Sequence, residues 1–219
     1  MEIVEIIALS MGLAWASGIN LYAAIFVLGW LGGNGSLELP AELQVCSEPA
    51  VMAAAGFMYF VEFFADKVPG VDTGWDTIHT FIRIPAGAIL AAGAVGELGQ
   101  SAEVVALLLG GTLSAASHAT KAGGRILINT SPEPVTNWTA SIAEDIAVVA
   151  SVWSALIYPE LFLVALCIVL LIMAWLLPRI WQGVKFLATR LRQLFMKKPP
   201  ESYIQRYMIK KESENNNSN

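Results

Sequence analysis

Charge is the scarcest thing in this chain. Only 14% of its 219 residues are Asp, Glu, Lys or Arg, against 56% that are apolar; a soluble domain carries about 25% charged residues. That composition argues against a water-soluble domain and for an integral membrane protein. Cysteine is nearly absent as well. Cys46 and Cys167 fall in unrelated segments with no metal or redox spacing, which argues against a disulfide framework, a zinc site or a thioredoxin-like motif. No Gly-rich phosphate loop and no Gly-x-Ser-x-Gly elbow occurs. The start, MEIVEIIALS, has acids where a secretory signal needs bases, so a cleavable signal is not expected.

Positive charge is missing from most of the length. Only four of the thirteen Lys and Arg residues precede Arg179: Lys67, Arg83, Lys121 and Arg125. Through Pro178 the formal balance is −11, and from Arg179 onward it is +6. The basic end directly follows a long apolar run, which reads as a cytoplasmic anchor facing anionic lipid and not as a nucleic-acid tail.

Six apolar segments meet or approach the roughly 20 residues that cross a bilayer: about 5–32, 49–66, 75–96, 103–127, 138–158 and 160–178. The connections 33–48, 97–103 and 158–160 hold Glu38, Glu42, Glu48, Glu97, Glu103 and Glu160 and no base, whereas the alternate ones carry Lys67 and Arg125. The positive-inside rule then places both termini in the cytoplasm. The expectation is an all-α integral membrane protein, with six transmembrane helices and short loops over 1–179. A basic amphipathic helix over 180–196 should lie on the inner leaflet, with Trp181, Val184, Leu187, Leu191 and Leu194 opposite Lys185, Arg190 and Arg192. The polar tail over 197–219 should be disordered. A chain this small leaves room for a homo-oligomer, although no residue requires one.

The first span carries Ala16-Ser17-Gly18-Ile19-Asn20-Leu21-Tyr22 at its middle. One reading is a notch of small residues for close helix packing; the other is a broken helix that exposes backbone groups. Two junctions also resemble each other. In 62–75 and 129–138 a Pro stands six residues before a Trp that opens the next apolar helix. They suggest a duplicated hairpin, spans 2–3 and 4–5. A weaker echo, Leu13 and Ala16-Ser17 against Leu113 and Ala116-Ser117, would instead imply an inverted repeat.

Helical spacing gathers the ionisable residues onto faces. Glu62 and Asp66 share a face of span 2, with Lys67 just beyond. Asp76, His79, Thr80 and Arg83 share one of span 3, His118, Lys121 and Arg125 one of span 4, and Asn137, Ser141, Glu144 and Asp145 one of span 5. All lie in the cytoplasmic half. One such charge at mid-bilayer costs roughly 2.5–3.5 kcal/mol on insertion scales, so nine of them must pair or line a hydrated cavity.

The motifs themselves resemble a bacterial integral membrane family designated domain of unknown function 4126 (DUF4126). The resemblance rests on Ala65-Asp66-Lys67-Val68-Pro69-Gly70-Val71-Asp72, on His79-Thr80 with Arg83, and on Pro85-Ala86-Gly87-Ala88. It continues through His118-Ala119-Thr120-Lys121-Ala122-Gly123-Gly124-Arg125 and Asn129-Thr130-Ser131-Pro132-Glu133-Pro134-Val135-Thr136-Asn137-Trp138 to Glu144-Asp145. It implies a membrane fold and supplies no activity.

Three uses of the clustered charges remain open: a lock on helix ends, a polar cavity, or a catalytic site. The cavity is preferred. It makes the chain a small transporter or channel-like protein with a charged cytoplasmic-side cavity for a polar or anionic solute or a lipid head group. Its residues would be Asn20, Glu62, Asp66, Lys67, Asp76, His79, Arg83, His118, Lys121, Arg125, Asn137, Glu144 and Asp145. A membrane-embedded enzyme acting on a lipid or isoprenoid substrate and a non-transporting scaffold are the alternatives. No catalytic residue, metal or cofactor is assigned. The expected partners are the lipid bilayer and the solute, not nucleic acid.

Overall fold

The computed structural model describes residues 1–35, 37–130 and 134–195, the side chains at 134 and 193–195 excepted. The expected polar tail over 197–219 and part of the second junction, 131–133, lie outside the described residues. All regular structure among the described residues is helical: α1 (Ile3–Gly33), α2 (Pro49–Ala65), α3 (Val71–Ala94), α4 (Gln100–Ile128), α5 (Pro134–Ile157) and α6 (Pro159–Phe195), with 3-10 turns at Ala41–Ser47 and Gly96–Leu98. Five helices are long and apolar enough to cross a bilayer. A sixth span counts when Ala41–Ser47 and α2, bent by 66°, are taken together. The fold is an all-α membrane fold.

Its surface and interior are reversed relative to a soluble bundle. Phe81, Leu108, Ile146 and Leu171 point outward, while Glu62, Asp72, Arg83 and Arg125 are fully buried. A contiguous apolar exterior of this kind belongs in lipid. The helices meet through small residues. A Cβ on Gly18 would collide with Ser117 and with the Ser114 carbonyl, so α1 and α4 approach more closely there than any other residue allows.

The path of α1 departs from the sequence expectation. Near its start Ile6 packs with Val95 and Ala106, and Ser10 Oγ donates to the Ala91 carbonyl (2.9 Å). Further on, Ser17 Oγ donates to the Arg83 carbonyl (2.9 Å). The first half of α1 therefore descends α3 from its end toward its middle. At Asn20 the backbone leaves the helix (φ −147°, ψ 94°), and the second half returns. Gly29 meets Cys46, Gly32 meets Leu39 and Ser47, and Leu43 packs at Gly93, near the end of α3.

Both ends of α1 thus lie on one face, around a cavity of about 1170 Å³ that Met1, Glu5, Gly32, Glu48 and Glu97 help to line. α1 has the length of a crossing and the path of a re-entrant V. Met1 accordingly shares its face with the acidic connections, and the 66–72 junction lies on the opposite one. The reason is local: a helix must restart at Asn20, and hydropathy over 5–32 registers length and not direction.

The chain divides into compact units Met1–Trp181 and Gln182–Asn219. Helix α6 is longer than the expected span and includes Pro178. In the second unit the described chain is helical, and Arg190 stands over the Phe186 ring at 5.2 Å.

Candidate functional site

Each half of α1 ends or begins in polar groups at the break. Asn20 Oδ1 accepts the Ala23 amide (3.0 Å), which makes Asn20 the N-cap of the second half. Its Nδ2 donates to Asp145 Oδ1 on α5 (3.0 Å). The first half leaves unpaired carbonyls at its negative end, and Lys121 Nζ from α4 donates to one of them, Ile19 O, at 3.0 Å. The broken-helix reading of this segment describes the backbone, with a lysine in place of a ligand at the exposed carbonyl.

Around that apex the faces of α2, α3, α4 and α5 converge. Arg83 holds Glu62 (2.7 Å) and Asp76 (2.8 Å) through separate Nη atoms. Lys121 reaches Asp66 at 2.7 Å and Glu62 at 3.3 Å, with Asp76 and Glu144 each at 3.8 Å. Arg125 binds Glu144 at 2.6 Å and donates to the Asp66 and Asn137 carbonyls and to the Asn137 side chain. Asp66 Oδ2 lies 3.6 Å from Arg125. Removing one partner from such a buried pair costs about 3–5 kcal/mol, because the other charge is stranded.

Four bases, Lys67, Arg83, Lys121 and Arg125, face six acids, Glu62, Asp66, Asp72, Asp76, Glu144 and Asp145, a formal excess of two negative charges. All ten are buried except Glu144, whose side chain is 21% exposed. Glu62 Oε2, Asp66 Oδ1 and Asp76 Oδ2 have no hydrogen-bond partner among the described residues. Buried oxygens in that condition are places for protons or for water.

The histidines sit apart from the carboxylates. Arg83 Nη1 can only donate, so His118 Nδ1 accepts from it (3.3 Å). Thr80 Oγ1 donates to the Asp76 carbonyl, and so accepts from His118 Nε2–H (2.8 Å). His79 donates from Nδ1 to the Trp75 carbonyl (2.9 Å) and accepts from Tyr22 Oη at Nε2 (3.1 Å). Among the described residues neither ring hydrogen-bonds a carboxylate, and no group of three or more His, Cys, Asp and Glu is placed to hold a metal.

Lys67 lies at the margin. It donates to the Phe63 carbonyl (3.0 Å) and to Ser141 Oγ (3.4 Å), over the Phe63 ring. Burial pushes its ammonium below the ordinary lysine value, while Asp145 and Asp66 pull it back up.

Twelve of the thirteen expected residues therefore gather around the α1 apex or on the helices that hold it, and Lys67 borders them. The sequence reading missed Tyr22, the Ile19 carbonyl, and above all Asp72. Asp72 accepts from Asn129 Nδ2 at 2.8 and 2.9 Å and from the Gly70 and Thr73 amides, clamping the two junctions together. Its place in the Ala65–Asp72 motif was the available signal.

A cavity of about 250 Å³ opens beside this network. Glu144 is its exposed polar group, with Lys121 and Arg125 buried behind it; Ile19 marks the α1 apex, and Val169, Ile172, Met173 and Leu176 of α6 form an apolar wall. The sequence profile of the family described as Domain of unknown function (DUF4126) matches residues 7–179. No curated protein and no solved structure matches the chain.

Proposed function

The chain belongs to the DUF4126 family, whose description carries no activity, and from the site alone we propose a small membrane transporter or channel-like protein whose charged cavity takes a polar, anionic solute or lipid head group. The observation that carries this reading is the cavity against the ion network. A network that merely locked helix ends would close on itself; here Glu144, 21% exposed, borders open space next to the α1 apex, with Lys121 and Arg125 buried directly behind it. The guanidinium fork of Arg125 suits a carboxylate or phosphate. Because acids already outnumber bases, a further negative charge enters this low-dielectric site together with protons on the carboxylates. Transport is therefore coupled to protons, carried among Glu62, Asp66, Glu144 and Asp145. Asn20, Asp76, Arg83 and Asn137 hold the donors in place, and Lys67, His79 and His118 border the network without lining the cavity. The histidines pair with hydroxyls, a carbonyl and an arginine, so they do not form the histidine–carboxylate pair that a histidine shuttle to Asp66 or Asp145 would use.

Thermal unfolding of the purified protein in neutral detergent tests the reading. An anion that stabilises the wild type, and neither Arg125→Ala nor Asp145→Asn, names the chemistry. A screen of phosphate, sulfate, carboxylates and head-group analogues in which none stabilises the wild type would leave the network as a lock.

Orientation follows from the same elements. In a bacterial inner membrane the positive-inside rule puts the Lys67 and Arg125 junctions, and the basic end of α6, on the cytoplasmic side. Since α1 turns back, the N-terminus then lies outside, opposite to the sequence expectation. Glu2→Cys, in a protein lacking Cys46 and Cys167, should react with an impermeant maleimide added to spheroplasts. Labelling only after lysis would return the N-terminus to the cytoplasm.

A further inference from the structure

Helix α6 touches the bundle near two of its stations and stands off between them. Toward its start Phe162 packs against Gly12 and Ala155; farther on, Ile180 is seated against Gly123. Between these contacts lies the 250 Å³ cavity, with Met173 turned inward and Ile172 52% exposed. On the α4 side of the gap a Cβ on Gly124 would meet nothing within 4 Å. The largely apolar cavity therefore opens between α4 and α6, with Glu144 as the polar group on its inner wall and Lys121 and Arg125 buried behind it.

Glu144 occupies a telling position on that wall. It is the most exposed carboxylate of the network, it binds Arg125 at 2.6 Å, and it lies 3.8 Å from Lys121. Its carboxylate fills the seat that an external anion would take. We infer that the ligand is an anionic amphiphile drawn from the membrane: its phosphate or carboxylate head replaces Glu144 at Arg125 and Lys121, and its single apolar tail leaves between α4 and α6 past Gly124. The inference rests on the anion-binding reading above and narrows its substrate class. Size supports the division between head and tail. A cavity of about 250 Å³ falls below the roughly 300–1,000 Å³ that encloses a whole drug-sized ligand, so only the head and the first carbons fit inside. The rest of the tail lies along α6 in the bilayer, where it costs nothing to solvate.

The test compares dodecyl phosphate with inorganic phosphate at equal concentration, by thermal unfolding of the full chain in dodecyl maltoside micelles, which already supply a neutral tail of the same length. Dodecyl phosphate should raise Tm by on the order of 5–10 °C at a hundredfold excess over its dissociation constant, and inorganic phosphate should not. Gly124→Leu fills open space and leaves every ion pair intact; it should fold and lose the shift. Glu144→Gln should move the response to lower concentration by removing the internal competitor. If inorganic phosphate stabilises the wild type and Gly124→Leu as well as dodecyl phosphate does, the amphiphile is wrong and the anion reading stands. If dodecyl phosphate stabilises Gly124→Leu as strongly as the wild type, the tail route is wrong. Stabilisation by neither probe overturns both readings.

Discussion

Helices α1 and α6 are both long and apolar, and the structure treats them oppositely. Of the most apolar stretch of α1, 67% is buried inside the protein; of that of α6, 17%. The helix without a charge from Leu161 to Leu177 is the outer one, and the helix interrupted by Ser10, Ser17, Gly18 and Asn20 is the inner one. In water, apolarity drives a helix inward. In a bilayer the lipid is as apolar as leucine, so what draws a helix inward is close packing through small residues and partners for polar atoms. Burial in this protein is therefore read from its serines, glycines and carboxylates.

The most forceful way to break that comparison is to strand a charge beside α1. Arg83→Met leaves Glu62 and Asp76 without their shared partner, and at about 3–5 kcal/mol for a broken buried pair it should lower Tm by on the order of 10 °C. Leu171→Ala on α6, at 73% exposure, should stay within about 0.5 kcal/mol. Equal losses for the two in a detergent melting series would erase the distinction between inner and outer helix.

A smaller effect sharpens it. Gly18→Ala must push α1 away from Ser117 and Ser114 and should cost about 1–3 kcal/mol, the usual range for overpacking. Gly124→Ala, inside α4 and beside α6, adds its methyl to open space and should, if anything, stabilise by about 0.4–1 kcal/mol through helix propensity. The smallest expected effect belongs to Lys67. Its ammonium is pushed below the ordinary lysine value by burial, so the folded chain releases that proton before the unfolded chain does. Through this residue, stability should rise as pH climbs toward the ordinary lysine range, and Lys67→Met should remove the rise from a pH series of unfolding curves.

How much of this was legible beforehand follows from the kind of regularity involved. The charged faces were readable because α-helical spacing fixes which side chains share a side, and Asp76, His79 and Arg83, or Lys121 and Arg125, need no tertiary information to be aligned. The membrane class was readable from composition. The turn-back of α1 was not, because a run of apolar residues looks the same whether the chain crosses or reverses. What decides is the Asn20 cap, the Lys121 bond to the Ile19 carbonyl and the packing of Gly29 and Gly32 on the segment after α1. Asp72 was passed over for a similar reason: its partner Asn129 is on the other junction, at no local spacing.

The apex of α1 is held from two sides by residues that also belong to the ion network, Lys121 on the Ile19 carbonyl and Asp145 on Asn20. This makes the arms of the V and the charges one thermodynamic system. On the proposed reading, a ligand that recruits Lys121 would withdraw the cap from the first arm, and so change the free energy of bringing the two arms together at the far face. Reciprocity fixes the converse: whatever spreads or closes those arms alters ligand affinity at the network by the same factor. On the proposed reading Asn20 would then be a fulcrum, joining the network to the arms of the V through a single residue out of helical register.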